Sequence, residues 1–494
     1  MTTLEALRFD NHYARLPDEF HDKCAPQPLL NARLASFNHA AAELLGIAHD
    51  QAQRPDFIDY FTGARQLPDA SPLAMCYAGH QFGVYVPRLG DGRAILLGQV
   101  KNTQGESWDI QVKGSGPTLY SRMGDGRAVL RSTIREYLCG EAMHGLGIPT
   151  TRALCLINSE ERVFRETIEP GAMLVRLAES HIRFGSFEYF FYTGQHDHLK
   201  LLADYVIEYG YPQLNERPDK YAALLDAVIE RTAALIARWQ GVGFAHGVMN
   251  SDNMSIIGLT LDYGPYGFLD TYQAGFICNH SDHQGRYAFD QQPGIGLFNV
   301  SCLAQAMLPL LDDDADAGVE RAKAALNNYW PLFKENYLAV IRAKLGLQNA
   351  EAGDIRLWSD LLALMEKQAD YTGFFRALAD FDRHEPSANT RLRELFIDRP
   401  AFDAWAQRYR QRLACEAMDD QARAAQMKRT NPKYVLRNYL AETAIRRAQD
   451  DHDFAEVDRL LALLRRPFDE QPGMEHYAAP PPDWAQSISV SCSS

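Results

Sequence analysis

The alternation of apolar and polar positions changes character several times along the chain. Near the N-terminus it is short and broken. There Ala32-Arg33-Leu34-Ala35-Ser36-Phe37 and the following AAAELLGI predict helix among loops. From about residue 86 to 180, β-rich runs bounded by turn residues take over, at Ala94–Val100, Ser107–Val112, Thr151–Ile157 and Met173–Leu177. One helix interrupts them. Leu130, Ile134, Leu138, Ala142 and Leu146 recur every four residues, and Gly147 and Pro149 stop the pattern. Beyond about 190 the chain turns helical, most clearly over 218–240, where Tyr221, Leu224, Leu225, Val228, Leu235, Ile236 and Trp239 share a face. Residues 246–299 predict loops, 300–470 predict helix again, including 430–449, and HYAAPPPDWAQSISVSCSS predicts an extended tail. This order predicts an α+β fold. Its expected parts are an N-terminal extension (1–85), a β-rich unit (86–190), a helical unit with loops (191–310), a helical extension (311–470) and a tail (471–494).

Composition narrows the class. The 494 residues are 46% hydrophobic and 23% charged, as in globular chains, and the length suggests about three domains. The net charge is −14, but residues 86–185 hold 13 Lys/Arg against 11 Asp/Glu. A cationic island in an acidic chain points to a small anionic ligand and against nucleic acid or an anionic membrane as partner. No unbroken apolar run reaches about 18 residues, which predicts no membrane span. MTTLEALRFDNHYARL lacks the apolar core of a secretory leader. The eight cysteines form no CxxC and no zinc spacing, so a reducing compartment, the cytoplasm, is expected.

Candidate chemistry begins with an internal echo. Arg88-Leu89-Gly90-Asp91-Gly92-Arg93-Ala94 returns as Arg122-Met123-Gly124-Asp125-Gly126-Arg127-Ala128. Gly-x-Gly turns can bring backbone N–H groups to an anion, with flanking arginines for phosphate. Taken singly, each also reads as an ordinary tight turn. Lys113 ends a β-run and Glu136 lies near the apolar stripe of the next helix. A strand Lys held by a helix carboxylate can reach phosphates, though a surface pair fits the same pattern. Farther on stand Phe244-Ala245-His246-Gly247-Val248-Met249-Asn250-Ser251-Asp252-Asn253 and then Asp262-Tyr263-Gly264. Asn and Asp oxygens suit Mg²⁺ or Mn²⁺ beside phosphate, whereas His246 reads as structural. HExxH, GxSxG and GxxxxGK[ST] are all missing from the sequence.

Gly-rich turn, strand Lys, helix Glu, His…Asn loop and Asp-x-Gly follow the order of parts in a protein kinase. The spacing His246 to Asn253 matches, but Val248 stands where the kinase Asp belongs and Ile95 where the third Gly belongs. A protein-kinase-like two-lobed fold is expected, without the ordinary catalytic base. A non-catalytic nucleotide-binding pseudokinase scaffold and a small-molecule kinase remain open at this point.

These residues, with HGVMNSDNMS, LDYGPYGFLD, NPKYVLRNYLA and the terminal Cys492-Ser493-Ser494, closely resemble the selenoprotein O (YdiU) family over almost the whole chain. The resemblance implies a bacterial, metal-dependent protein adenylyltransferase. Such an enzyme moves AMP from ATP to Ser, Thr or Tyr hydroxyls, with the nucleotide flipped relative to kinases. It assigns Gly90, Gly92, Arg93, Lys113, Asp125, Gly126, Arg176, Arg183 and Asp262 to the nucleotide. Lys113 would pair with Glu136, and Arg176 and Arg183 would receive the terminal phosphates. Asn253 and Asp262 would bind Mg²⁺ or Mn²⁺, and Asp252 would accept the proton. It also suggests a redox disulfide between Cys278 and Cys492. Uridylylation with UTP and Mn²⁺ is the nearest alternative, since no residue visibly reads adenine.

Overall fold

The computed structural model describes residues 1–491. Its strands are β1 (His21–Lys23), β2 (Arg33–Phe37), β3 (Leu73–Met75), β4 (Gly79–Gln81), β5 (Val84–Val86), β6 (Ala94–Lys101), β7 (Ser107–Lys113), β8 (Ala128–Val129), β9 (Arg152–Phe164), β10 (Ile168–Ala178), β11 (Phe244–Ala245) and β12 (Gly267–Phe268). The main sheet runs β1-β3-β6-β7-β10-β9-β2, with β8 beside β10, and every described pairing within it is antiparallel. The architecture is α+β, an antiparallel sheet followed by a helical C-terminal region.

Helices α1 (His39–Leu45) and α2 (Asp59–Thr62) precede the long strands, and α3 (Leu130–Gly145) interrupts them. Then come α4 (Phe184–Tyr192), α5 (His196–Gly210), α6 (Lys220–Val242) and α7 (Gln292–Leu311). The rest are α8 (Ala315–Asn327), α9 (Tyr329–Lys344), α10 (Asp354–Met365), α11 (Tyr371–Leu378), α12 (Thr390–Arg393), α13 (Arg399–Leu413), α14 (Asp420–Thr430), α15 (Asn438–Asp450) and α16 (Ala455–Leu464).

Strand alternation divides the sheet into two faces. Ile95, Leu97, Ile110, Val112, Met173, Val175 and Leu177 bury one face against Leu45, Phe57 and Phe61 of the N-terminal stretch. Leu96 and Leu174 join the core that holds Ile134 and Leu138 of α3 on the other. That second face also carries Gln111, Lys113 and Arg176. Helix α3 is buried nearly all round, because α15 and α16 return to cover the side the sheet leaves free. A separate aromatic core, with Trp358, Phe375, Trp405 and Tyr409, joins α9 to α14.

Three expectations need correction. Residues 33–37 form strand β2, not helix, because pairing with β9 outweighs the weak helical propensity of a five-residue segment. The loop region ends at 291, since Pro293 sits in the first turn of α7, where a missing N–H costs nothing. The segment expected as helix over 430–449 starts only at Asn438: Asn431 is extended, as a residue before proline prefers, and ends α14. The tail, expected as extended, packs in part on the fold, with Tyr477 and Val490 buried. Phe289–Leu311 has the length and hydropathy of a membrane span, but half of it is buried in the fold.

Candidate active site

A cleft of about 560 Å³ lies between the sheet and the 248–265 loops. Gly90, Gly92, Arg93, Lys113, Asp125, Gly126, Arg176, Arg183, Asp252, Asn253 and Asp262 all line it. Six arginines and Lys113 face it against four aspartates, an excess of positive charge that suits a polyanionic ligand.

Both Gly-Asp-Gly turns belong to this one cleft. Residues 117–127 fold onto the first turn. Thr118 donates to the Asp91 carbonyl at 2.7 Å, and the Ser121 hydroxyl donates to that of Gly92. Gly90 and Gly126 have φ of +70° and +67°. A Cβ on Gly90 would stand 2.3 Å from the Tyr120 ring, and one on Gly126 would stand 2.1 Å from the Gly116 carbonyl. Neither acid points freely at an incoming phosphate. Asp91 is buried, accepting from the Met75 amide and Gln111 Nε2, both at 3.2 Å, and burial raises its pKa. Asp125 is gripped by Arg165 at 2.8 and 3.0 Å and held below its usual range.

The charged centre follows from β7. Its alternation sends Gln111 and Lys113 to the face that meets α3, and register puts Arg176 of β10 opposite Gln111. Glu136 of α3 then receives Lys113 Nζ at 2.6 Å and Arg176 Nε at 2.5 Å, and it is 3% exposed. The expected ion pair is present, and it is buried rather than superficial. Burial would raise the Glu136 pKa, but Arg176 and Lys113 outweigh it and keep the carboxylate charged. Burial pushes Lys113 down to about 8 against the pull of Glu136.

Asp262 has a φ of +59°, in the left-handed region that Asp tolerates better than most residues. Arg176 Nη2 lies 3.0 Å from its Oδ1, and Arg183 Nη1 contacts its Oδ2. Burial would raise its pKa, but Arg183 and Arg176 hold it far below the usual range. Arg183 also donates to the Asp252 carbonyl at 2.6 Å and lies over the Tyr77 ring at 4.7 Å. Asn253 Nδ2 donates to Asp262 Oδ2 at 3.1 Å, whereas its buried Oδ1 has no hydrogen-bond partner among the described residues. An orphaned amide oxygen beside a carboxylate fits a hard cation. Among the described residues no three His, Cys, Asp or Glu side chains form a metal cage. The donors thus suit a cation that completes its shell with phosphate and water oxygens.

Asp252 is buried, and burial pushes its pKa up to about 7. Its Oδ2 accepts from Gln81 Nε2 at 3.2 Å, while Oδ1 has no partner among the described residues. Val248 lines the cleft without a charge. His246 is structural, with Nε2 3.0 Å from the Leu261 carbonyl and burial favouring the neutral ring. Cys278 lies outside the cleft, where its thiol donates to the Ala245 carbonyl at 3.4 Å. Cys492, its expected redox partner, lies outside the described residues.

Sequence reasoning missed Tyr77, Gln81 and Phe82, which line the cleft from the stretch expected as an extension. The available signal was Phe82-Gly83 between alternating residues, a two-residue hairpin pattern. Arg165 was missed too, because its partner Asp125 is 40 positions away.

The sequence profile of the family described as Protein adenylyltransferase SelO matches residues 3–465. Full-length similarity runs to proteins each called protein nucleotidyltransferase YdiU. The one from Thioalkalivibrio sulfidiphilus is 59% identical over the whole of both chains. Those from Myxococcus xanthus and Pseudomonas fluorescens are 57% and 50% identical, again over all of both chains. Likeness at this level, spanning the sheet, the loops and the helical region together, makes the chain a nucleotidyltransferase and a member of the protein adenylyltransferase SelO family.

Proposed function

We propose that the cleft transfers AMP from ATP to Ser, Thr or Tyr hydroxyls of proteins in the bacterial cytoplasm. The scaffold is read as kinase-like, with the sheet as one lobe and α4–α7 with their loops as the other. The single observation that carries the reading is one cleft that combines six arginines and Lys113 with the buried acid Asp252. The nucleotide is flipped: the glycine turns meet its adenosine end, and Arg176 and Arg183 take the terminal phosphates. Lys113, held by Glu136, takes a further phosphate oxygen.

In the reaction the acceptor oxygen bonds to the α-phosphorus, and the bond from that phosphorus to the oxygen bridging to the β-phosphate breaks. Pyrophosphate leaves with the electron pair, and the hydroxyl proton passes to Asp252. The arginines stabilise charge growing on the leaving group. Asn253 and Asp262 would hold Mg²⁺ or Mn²⁺, which when bound neutralises charge on phosphate oxygens. The redox pair Cys278–Cys492 is part of the proposal. It is supported by docking of the tail on the neighbouring segment, where the His280 amide donates to the Val490 carbonyl at 2.8 Å. Non-reducing peptide mapping tests that pairing.

ATP labelled at the α-phosphate should label protein, and ATP labelled at the γ-phosphate should not. Label from the γ-phosphate alone would make the enzyme a kinase. Label from UTP with Mn²⁺ and none from ATP would make it a uridylyltransferase. Nucleotide binding with neither label nor pyrophosphate release would leave a scaffold.

A further inference from the structure

The β4–β5 hairpin lies along the loop that carries Asp252. Gly79 is so close that a Cβ there would stand 2.7 Å from Asp252 Oδ1. The His80 amide donates to Ser251 Oγ at 2.6 Å, and Gln81 Nε2 donates to Asp252 Oδ2 at 3.2 Å. The Phe82 amide donates to Asn250 Oδ1 at 3.2 Å and to the Tyr287 hydroxyl oxygen at 3.0 Å. Tyr287 in turn donates to Asn250 Oδ1 at 2.6 Å.

The chain reverses over Phe82 and Gly83, with φ of +49° and +84°. Two successive positive φ values make the hairpin turn that Asn-Gly serves best. A phenylalanine at the first position is a costly choice, because its Cβ crowds the backbone there. Burial does not offset that cost, since Phe82, which lines the cleft, is 42% exposed, with its ring 5.0 Å from the Tyr287 ring. Strain of this kind persists where the surroundings over-determine it, and it clusters at functional sites. Here the surroundings are the loop bearing the reactive acid. An aromatic ring adds nothing to the binding of a triphosphate, whose charge the arginines meet. It does offer contact area to a side chain.

We propose that this hairpin is the acceptor-side wall of the cleft. Phe82 packs against an apolar residue next to the acceptor hydroxyl in an extended protein segment. Gln81 is a positioning residue that fixes the orientation of the Asp252 carboxylate through Oδ2. The inference rests on the AMP-transfer reading and gives that site its acceptor preference.

The test uses the full chain, α-labelled ATP with Mn²⁺, and dephosphorylated casein as a probe acceptor. Phe82→Asn suits the turn better than phenylalanine does, so its Tm should not fall. Its KM for casein should rise at least tenfold, with affinity for a non-hydrolysable ATP analogue within twofold of the parent. Phe82→Tyr should retain the parent KM. Gln81→Leu should lower kcat at least tenfold with KM for casein unchanged. A parent-like casein KM in Phe82→Asn overturns the proposal. So does a loss of transfer that runs parallel to losses in Tm and nucleotide affinity, which would mark a structural role. No label from the parent enzyme would overturn the AMP-transfer reading itself and this inference with it, whereas differences among variants bear on the hairpin alone.

Discussion

Glu136→Gln removes one negative charge from between two buried cations. The Lys113, Arg176 and Glu136 side chains retain 10%, 4% and 3% of their exposure, so water cannot take over the missing charge. Breaking a buried pair by removing one partner costs about 3–5 kcal/mol, because the other is left uncompensated. Glutamine keeps the shape and one acceptor oxygen, but it turns an NH₂ toward a cation. A loss of about 3–5 kcal/mol is therefore expected, a large share of a typical stability of about 5–15 kcal/mol. Equilibrium urea unfolding without nucleotide measures it. The double variant Lys113→Met/Glu136→Gln should recover more than about 1 kcal/mol, since it removes Lys113, the cation left without a carboxylate, while Arg176 keeps Asp262. A single-variant loss below about 1 kcal/mol would show that the pair is not desolvated in solution. A full loss with no recovery in the double variant would assign the cost to packing rather than charge.

Asp262→Asn should abolish Mn²⁺ binding by calorimetry while metal-free ATP binds at least as tightly, because Arg176 and Arg183 lose their internal carboxylate and become available to phosphate; weaker metal-free binding would contradict this competition. Gly126→Ala should weaken ATP at least tenfold in a binding titration, since its Cβ would meet the Gly116 carbonyl at 2.1 Å and its φ is +67°; parent affinity would show that the second turn does not shape the site. Lys344 is buried, with Nζ 3.0 Å from Asn431 Oδ1 and 4.2 Å from the Phe375 ring centroid, and burial pushes its pKa down to about 7. As pH falls from the unfolded lysine value, the unfolded chain takes the proton first, so stability is lost on the way down to about pH 7, where the folded chain takes it too. Lys344→Met should therefore be the more stable protein at pH 7, and its advantage in urea unfolding should shrink by about 1.4 kcal/mol per pH unit up to pH 9; an advantage independent of pH would mean that the lysine is charged throughout.

Much of the site was legible because its residues announce themselves locally. Gly-Asp-Gly turns, a lysine closing a β-run and an Asn-rich loop after a strong helix are short patterns with short-range causes. The same is true of α3 and α6, whose periodicity is a property of the segments themselves. The Phe82 hairpin was less legible, because its turn signal is weak until the loop of Asp252 is known to lie against it. The role of α15 and α16 was not legible, because only packing shows that they cover α3, whose Glu136 pairs with Lys113.

By itself, the sequence determined the α+β class, the main strands and helices, the positive island and the two Gly-Asp-Gly turns, whereas Arg176, Arg183 and Asp252 were singled out only through the family resemblance. The former follow from periodicity, turn chemistry and composition, which act over a few residues. Only the tertiary structure decided where the charges point. Asp91 turns into the sheet, Asp125 into Arg165, and Asp262 into two arginines. It also decided that residues 33–37 are a strand, since β9 supplies hydrogen bonds that no local helix of five residues can match. The physical reason is common to all of these. Burying a charge or an edge strand is favourable only when a specific partner completes it, and here the partners stand tens to more than a hundred residues away in the chain.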